Sequence, residues 1–278
     1  HLALDANTTA ANNTAVGKSA LTANTTGANN SSFGMNSMAA NTTGAQNVAI
    51  GGSALTANTT ASNNTAVGHD VLAANTTGAN NTGIGVSALA ATTTAEGITA
   101  VGFKALEANT SGTRNVAVGK ESLKTVTTGI QNTAMGNNAL ELNTASNNTA
   151  FGYATLNANT SGTSNVGIGY AALTANTTAD NNTAVGRNAL VENTTGSENT
   201  AVGAFCLDAV TTSPSNTSLG YLALTTLSTG AGLNVGIGYR AGHNLSTGRN
   251  NSILGIDAGF FFTTGDYNTF IGSEAGRG

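Results

Sequence analysis

A glycine that recurs every 17 residues is the feature of this sequence that most restricts its fold. It stands at Gly17, Gly34, Gly51 and onward to Gly272, and thirteen of the fifteen intervals are 17 residues, one is 16 and one is 18. Low-complexity chains without a period are typically disordered, whereas a fixed period indicates units that stack on one another. The chain is therefore predicted to be a repeat protein.

Each position relative to this anchor glycine has its own chemistry. The residue before it is large and apolar in all sixteen copies, as in Val16 and Val185, and the residue four places after it is Leu or Met in thirteen. Two large apolar residues per 17 are too few for a helical stripe. The pattern predicts two short extended segments per repeat, Asn-Thr-Ala-Val-Gly and x-x-Ala-Leu, with both large residues pointing inward. Asn-Thr-Thr-Gly is predicted to form the turn.

Stacking such repeats gives a fold of the all-β class, a parallel β-solenoid (β-roll) of about sixteen 17-residue coils. Each column then becomes a ladder of like residues, with steps of about 4.8 Å and a total length of about 75 Å. Residues 1–238 are predicted as the regular solenoid, and residues 239–278 as variant, aromatic-containing terminal repeats of the same solenoid. Because two apolar side chains per coil bury little surface, the solenoid is expected to pack against copies of itself as a homotrimer.

Composition excludes several classes of function. Only 8% of the residues are charged, against about 25% in a typical domain, and the formal net charge is −4. Nucleic-acid binding needs a dense basic footprint, so no nucleic-acid partner is expected. No run of 18 apolar residues is present, which argues against membrane insertion. One cysteine cannot form a disulfide framework.

Single residues that could carry chemistry have simpler structural interpretations. Cys206 stands in the small-residue column of Ala20 and Ser37 and is predicted to be a buried packing residue without an activating His. His69 and Asp70 stand in variable columns that also carry other charges, and are predicted to be a solvated surface pair.

Paired carboxylates are not evident. Asp257 and Asp266 lie in adjacent segments and could approach, but they lack an aromatic platform for a sugar. The Gly-x-Gly steps at 166–169 and 235–238 are interpreted as ordinary anchor steps, because no helix follows them to form a phosphate loop. The chain is not expected to be an enzyme, and no catalytic, cofactor-binding or metal-binding residue and no cofactor is predicted. The remaining glutamates are scattered: Glu107, Glu141, Glu192 and Glu198.

Two further patterns invite a functional interpretation. Asn-x-Thr sequons at Asn24, Asn41 and Asn58 are interpreted as products of the repeat, with the asparagines forming a ladder. The aromatic residues at 260–262, Tyr267 and Phe270 are either a receptor-contacting patch or a thicker trimer core. The core is favoured because the apolar column changes to glycine in this region, at Gly242, Gly259 and Gly276.

The ends also follow the repeat. His1-Leu2-Ala3-Leu4 matches x-x-Ala-Leu, and Gly278 falls six residues after the last anchor glycine. Neither end carries a polar cap over its open strand edge. We therefore expect a segment of a longer chain, or ends that join further fibre domains or subunits.

Asn47-Val48-Ala49-Ile50-Gly51-Gly52-Ser53 resembles the repeat of head domains in trimeric autotransporter adhesins. The longer form, running from Asn182 to Gly196, is similar to repeats of phage and virus tail fibres. The resemblance implies a trimeric structural or adhesive fibre segment, on a virion or an extracellular surface, that gives reach for host attachment. Its implied partner is a host surface glycan or protein, and the receptor-binding residues are unknown.

Other functions stay open. The same pattern fits a bacterial surface adhesin or a self-assembling extracellular filament. An ice-binding solenoid is a further alternative, because Thr or Ser stands eight residues after each anchor glycine, as in Thr25 and Thr42, and could form a ladder that orders water. This ladder is predicted to lie in the turn, where a flat sheet is not expected.

Overall fold

The computed structural model describes residues 2–230 and 232–277, and within them every regular element is a three-residue β-strand. His1 and Gly278 lie outside the described residues. The chain divides into two compact units, His1–Asn138 and Ala139–Gly278. The first unit holds β1 Thr14–Val16, β2 Ser31–Phe33, β3 Val48–Ile50, β4 Thr65–Val67, β5 Thr82–Ile84, β6 Thr99–Val101, β7 Val116–Val118 and β8 Thr133–Met135. The second holds β9 Thr149–Phe151, β10 Val166–Ile168, β11 Thr183–Val185, β12 Thr200–Val202, β13 Thr217–Leu219, β14 Val235–Ile237, β15 Ser252–Leu254 and β16 Thr269–Ile271.

Within each unit the strands lie in chain order and are parallel, each paired with its copy in the next coil. In β10 and β11, for example, Val166 pairs with Thr183 and Ile168 with Val185. The 18-residue interval does not disturb this register, because Thr217 of β13 still pairs with the equivalent Val235 of β14. The predicted parallel β-solenoid with 17-residue coils is confirmed.

The prediction of two extended segments per repeat is wrong, because x-x-Ala-Leu is a turn. Its second and fourth residues adopt left-handed backbone angles, with φ of 56° at Ser53 and 51° at Leu55. This conformation is unfavourable for a leucine and needs support from its neighbours. The Leu55 amide donates to the carbonyl of Val71 in the next coil at 3.0 Å, and its side chain is fully buried. Gly242 and Gly259 occupy this position in later coils, with φ of 60° and 57°.

The predicted inward orientation of the large residue before the anchor glycine is also wrong. Successive side chains of a strand point to opposite faces, so a three-residue strand directs only its central residue inward. Ala184 is fully buried, whereas Val16 is 56% exposed and Val185 is partly exposed. The interior has no room for a large side chain here. A Cβ placed on Gly167, the central residue of β10, would lie 2.5 Å from Cγ2 of Thr155.

The core lies between these small central residues and the leucine column, which is buried as predicted. Two neighbouring columns of buried asparagine complete it, and Asn47 and Asn58 donate to the same carbonyl, that of Ala61. In the first, Oδ1 of Asn30 accepts from the amide of Asn47 at 3.0 Å, and Nδ2 of Asn47 donates to the carbonyl of Ala61 at 2.9 Å. In the second, Nδ2 of Asn58 donates to Oδ1 of Asn41 at 2.7 Å. Buried amides are tolerated when they are bonded in this way.

The last coils exchange large and small residues across the core. Where the leucine column becomes glycine, the central strand position changes from Ala to Ile253 and Phe270. A Cβ on Gly242 would lie 2.8 Å from Cδ1 of Ile253, and one on Gly276 would lie 2.3 Å from Cδ1 of Phe270. The aromatic ring therefore fills space inside the coil of its own chain. Phe262 packs edge-on against it, with ring centroids 5.1 Å apart.

Candidate interaction face

Each unit exposes a strip of apolar side chains on the outer face of its sheet. We define the glycine-flanking strip as the residues directly before and directly after each anchor glycine. The column before the glycine consists only of large apolar residues, and all of them are exposed or partly exposed. The column after it contributes eight exposed apolar side chains: Met35, Val86, Phe103, Tyr153, Tyr170, Tyr221, Tyr239 and Ile256.

The anchor glycines themselves explain why the two columns are separated. Gly51 has a φ of 135°, and a Cβ placed on it would lie 2.3 Å from the carbonyl oxygen of Gly68 in the next coil. Any side chain here would push successive coils apart, so the column between the two apolar columns has none. The repeat thus fixes both the spacing of the coils and the position of the strip.

In the second unit the column after the glycine forms a stack of tyrosines. Tyr153 and Tyr170 stack with ring centroids 5.4 Å apart and an interplanar angle of 12°. Tyr221 and Tyr239 stack at 5.8 Å and 16°. Between the pairs, the Arg187 guanidinium lies 5.9 Å from the centre of the Tyr170 ring. About half of each tyrosine remains exposed. Tyr and Arg are the residue types most enriched at protein interfaces and their hot spots.

Charge on the strip is sparse and of one sign. The column before the glycine has no charged residue, and the column after it carries Lys18, His69, Lys120 and Arg187 but no Asp or Glu. His69 Nδ1 lies 2.9 Å from Asp70 Oδ2, and both side chains are exposed, at 64% and 42%. The prediction of a solvated surface pair is confirmed.

The exposed apolar area of the strip is comparable with one side of a protein–protein interface. A buried Val, Leu or Ile removes about 60–120 Å² of side chain from water, so half-exposed residues offer about half of that. A half-exposed Tyr offers about 75–125 Å². With the partly exposed Phe151, Val185, Val202 and Ile237 counted at about a fifth, the strip of the second unit amounts to about 500–900 Å², against about 800 Å² per partner in a standard interface. The largest apolar patch on a typical monomer is about 300–600 Å².

Cys206 lies where the sequence predicted it. Its side chain is fully buried and its Sγ donates to the carbonyl of Gly203 at 2.9 Å. Burial raises the pKa of the thiol to about 12. The nucleophilic thiolate is therefore not populated at neutral pH.

The carboxylates with possible catalytic or metal-binding roles are held by separate partners. Arg240 donates to both oxygens of Asp257 at 2.8 Å, and this ion pair lowers the pKa of the carboxyl. Asp266 instead accepts from the backbone amide of Arg249 at 2.9 Å. Among the described residues, no three His, Cys, Asp or Glu side chains come together as a metal site. The scattered glutamates bond locally: Glu107 with Lys104, Glu141 with Asn157 and Glu198 with Ser215, while Glu192 lines a surface depression.

That depression is open and has a volume of about 420 Å³. Besides Glu192, its lining includes Asp208 and Thr225, and the Thr225 hydroxyl donates to the Asp208 carboxylate. Burial raises the pKa of Asp208. The Asp208 carboxylate is thus hydrogen-bonded to a residue of its own chain.

The other predicted motifs have structural roles. The Gly-x-Gly steps at 166–169 and 235–238 are β10 and β14 with their anchor glycines. Asn24, Asn41 and Asn58 of the sequons are fully buried in the second asparagine column. The Thr ladder lies in bends between the strands, and its hydroxyls bond the next coil, as in Thr25 Oγ1 to the Thr42 carbonyl at 3.1 Å. These hydroxyls therefore donate their hydrogen bonds within the protein.

The C-terminal aromatic residues divide into two groups. Phe262 and Phe270 are partly buried and pack against each other within their own chain, while the trimer core stays a prediction. Phe261 and Tyr267 are 58% and 76% exposed, and Phe260 lies against the Arg240 guanidinium at 4.6 Å.

The glycine-flanking strip was not predicted from the sequence. The signal was the residue two places before the glycine, which is Ala, Ser or Gly in fourteen of sixteen copies and marks the side of the strand that faces a tightly packed interior.

No family model, no curated protein and no solved structure matches this chain. Among the described residues, no helix is long and apolar enough to cross a membrane. The regular coil and its exposed apolar strip are therefore the features that bear on function.

Proposed function

We propose that this chain is a structural and adhesive segment of a viral (phage) tail fibre, which acts as a homotrimer and presents a host-attachment site at a distance. The observation that carries the proposal is the glycine-flanking strip. An apolar surface of this area on an isolated chain would promote association, and a second and third copy of the same chain offer matching strips.

The interior of the coil supports a mechanical role. Successive coils within each unit are bonded through the strand and, in most coils, through the asparagine columns and the threonine hydroxyls, for example Thr42 Oγ1 to the Thr59 carbonyl at 3.0 Å. A repeat in which every coil is tied to its neighbours transmits load without a separate binding centre. Trimeric presentation would strengthen weak contacts with a host glycan or protein through avidity. A bacterial surface adhesin or extracellular filament would use the same face.

One observation favours an ice-binding role as the second candidate. The first residue of most strands is threonine, as in Thr65, Thr82 and Thr99, and these side chains lie on the outer face of the in-register sheet. A flat array of threonines beside valines can order water. This role requires the face to stay free of other chains.

The solution mass of the purified chain, measured by light scattering after size exclusion, tests the proposal. We expect a mass of three chains. The double variant Val185→Asp and Val202→Asp adds charge to the strip and is expected to reduce the mass to one chain with unchanged circular dichroism. Asn147→Asp with Asn181→Asp is the matched control, because both asparagines are exposed on the second unit away from the strip.

A monomeric parent chain would contradict the fibre proposal. Thermal hysteresis of that monomer, abolished by the strip variant, would support ice binding instead. A continuous distribution of masses would point to a stacking filament.

A further inference from the structure

Side-by-side association of repetitive chains raises the problem of register. The column before the anchor glycine presents a large apolar residue in every coil, so a shift by one coil replaces each contact with an equivalent one. Register is weakly specified where successive positions are alike. In a fibre of several chains, something else must align the copies along the axis.

The column after the anchor glycine in the second unit is not uniform. In chain order it reads Tyr153, Tyr170, Arg187, Ala204, Tyr221, Tyr239, Ile256 and Ser273. Two tyrosine pairs are thus separated by one cation and one small residue. With two copies in register every tyrosine meets a tyrosine, whereas a shift by one coil leaves two such pairs and sets one ring opposite Ala204. Specificity can arise from such mismatches as well as from favourable contacts.

The tyrosines are also held in fixed positions. The near-parallel rings of each pair restrict one another, and the Arg187 guanidinium lies 5.4 Å from the centre of the Phe205 ring on its other side. Phe205 packs edge-on against Tyr221 at 6.2 Å, which connects the two pairs. Side chains that are ordered before association lose little entropy on binding. An ordered, uneven and half-exposed column can therefore discriminate between registers.

We propose that the four tyrosines Tyr153, Tyr170, Tyr221 and Tyr239 set the longitudinal register in which parallel copies of this chain pack side by side. This inference rests on the proposed self-association, and it names the partner surface as the same strip of a second copy. The apolar column before the glycine supplies most of the contact area, and the tyrosine column selects one alignment.

Cysteine cross-linking tests the alignment, because a disulfide needs Cα atoms within about 7 Å and one coil is a shift of about 4.8 Å. The background is Cys206→Ala, since alanine occupies that column in other coils, such as Ala189. Chains carrying only Val185→Cys and chains carrying only Val202→Cys are mixed in equal amounts, associated and oxidised. We expect 185–185 and 202–202 disulfides, with mixed 185–202 disulfides at least tenfold rarer.

The four tyrosines are then replaced together by serine, a residue that the same column carries at Ser273. We expect a trimer whose mixed disulfides rise about tenfold, to the level of the like pairs. Replacing the same tyrosines with phenylalanine, which keeps the rings, is the control and should retain the parent pattern. If the serine variant does not fold, the double variant Arg187→Tyr and Ala204→Tyr makes the column uniform without removing a tyrosine, and it should also raise the mixed disulfides.

The outcomes separate the inference from the proposed function. A monomeric parent overturns both. An associated parent that forms neither kind of disulfide overturns the inference, because the strip would then lie outside the interface. An associated serine variant with an unchanged disulfide pattern overturns the inference and leaves the fibre proposal standing.

Discussion

The second asparagine column contains a break whose repair should stabilise the fold. The column runs through Asn58 and Asn75, changes to Thr92 and resumes at Asn109. In the unbroken part each Nδ2 donates to the Oδ1 of the preceding coil, as from Asn75 to Asn58 at 3.0 Å. Thr92 instead donates to the carbonyl of Asn109, and Oδ1 of Asn75 is left buried without a partner among the described residues.

The substitution Thr92→Asn is expected to close this gap. Its Nδ2 would reach Asn75 Oδ1, and its own Oδ1 would accept from Asn109 Nδ2, which now donates only to the carbonyl of Gly112. An unsatisfied buried acceptor costs about 1–3 kcal/mol, and a hydrogen bond contributes about 0.5–1.5 kcal/mol. The bond gained at Asn109 and the bond lost from the Thr92 hydroxyl roughly cancel. The net gain is then about 1–3 kcal/mol, although a polar residue in the core is enlarged.

Hydrogen exchange is the suitable assay, because coils of a solenoid open locally. A stabilisation of about 1–3 kcal/mol slows exchange of the amides of residues 89–109 by about 5- to 150-fold. The reverse substitution Asn58→Thr is the matched control, since it removes the donor to Asn41 Oδ1 and should speed exchange there by a similar factor. Faster exchange in Thr92→Asn, or no change in Asn58→Thr, would refute the view that amide pairing stabilises this core.

Four further predictions follow from the structure. Ala184→Asp places an unpaired charge in the core and should unfold the neighbouring coils, as seen by circular dichroism, whereas Val185→Asp should not; equal loss of structure in both would contradict the assigned strand orientation. Cys206 should resist maleimide at pH 7–8 in the folded chain and react once denaturant is added. Ile253→Ala should destabilise the fold by about 2–5 kcal/mol through a cavity and Gly259→Leu should destabilise it by overpacking, both seen as a lower melting temperature, and the double variant should recover most of the loss. Because Arg240 lowers the pKa of Asp257, the pair's contribution to stability should be present above the ordinary Asp pKa of about 4 and lost below it, so Asp257→Asn should flatten the acid limb of a pH–stability curve.

The period alone was enough to predict the solenoid, because stacking is the way in which identical short units bury their apolar residues. The inward position of the leucine column also followed from the sequence. The orientation of the strand did not, since hydrophobicity assigned Val185 to the core and left Ala184 unassigned. In a coil this narrow, volume decides which residue points inward, and the small residue is the one that fits.

The turn after the glycine shows the same limit. A leucine gives no hint of a left-handed backbone, so Leu55 was assigned to an extended segment. The replacement of this column by Gly242 and Gly259 was visible, and it indicates a position at which φ is positive. The replacement was interpreted only as lost volume, and the gain of volume at Ile253 and Phe270 across the core was not connected with it.

The asparagine columns help to hold successive coils together from the inside. Because most of the buried amides bond to an adjacent coil, cohesion between coils does not depend on the buried leucine column alone. The large residues before the anchor glycines are then available to the outer face, where every copy presents the same column. A fold whose strands direct their large apolar residues outward is suited to joining chains side by side, and this is why the exposed strip, rather than any cluster of reactive groups, directs the proposed function.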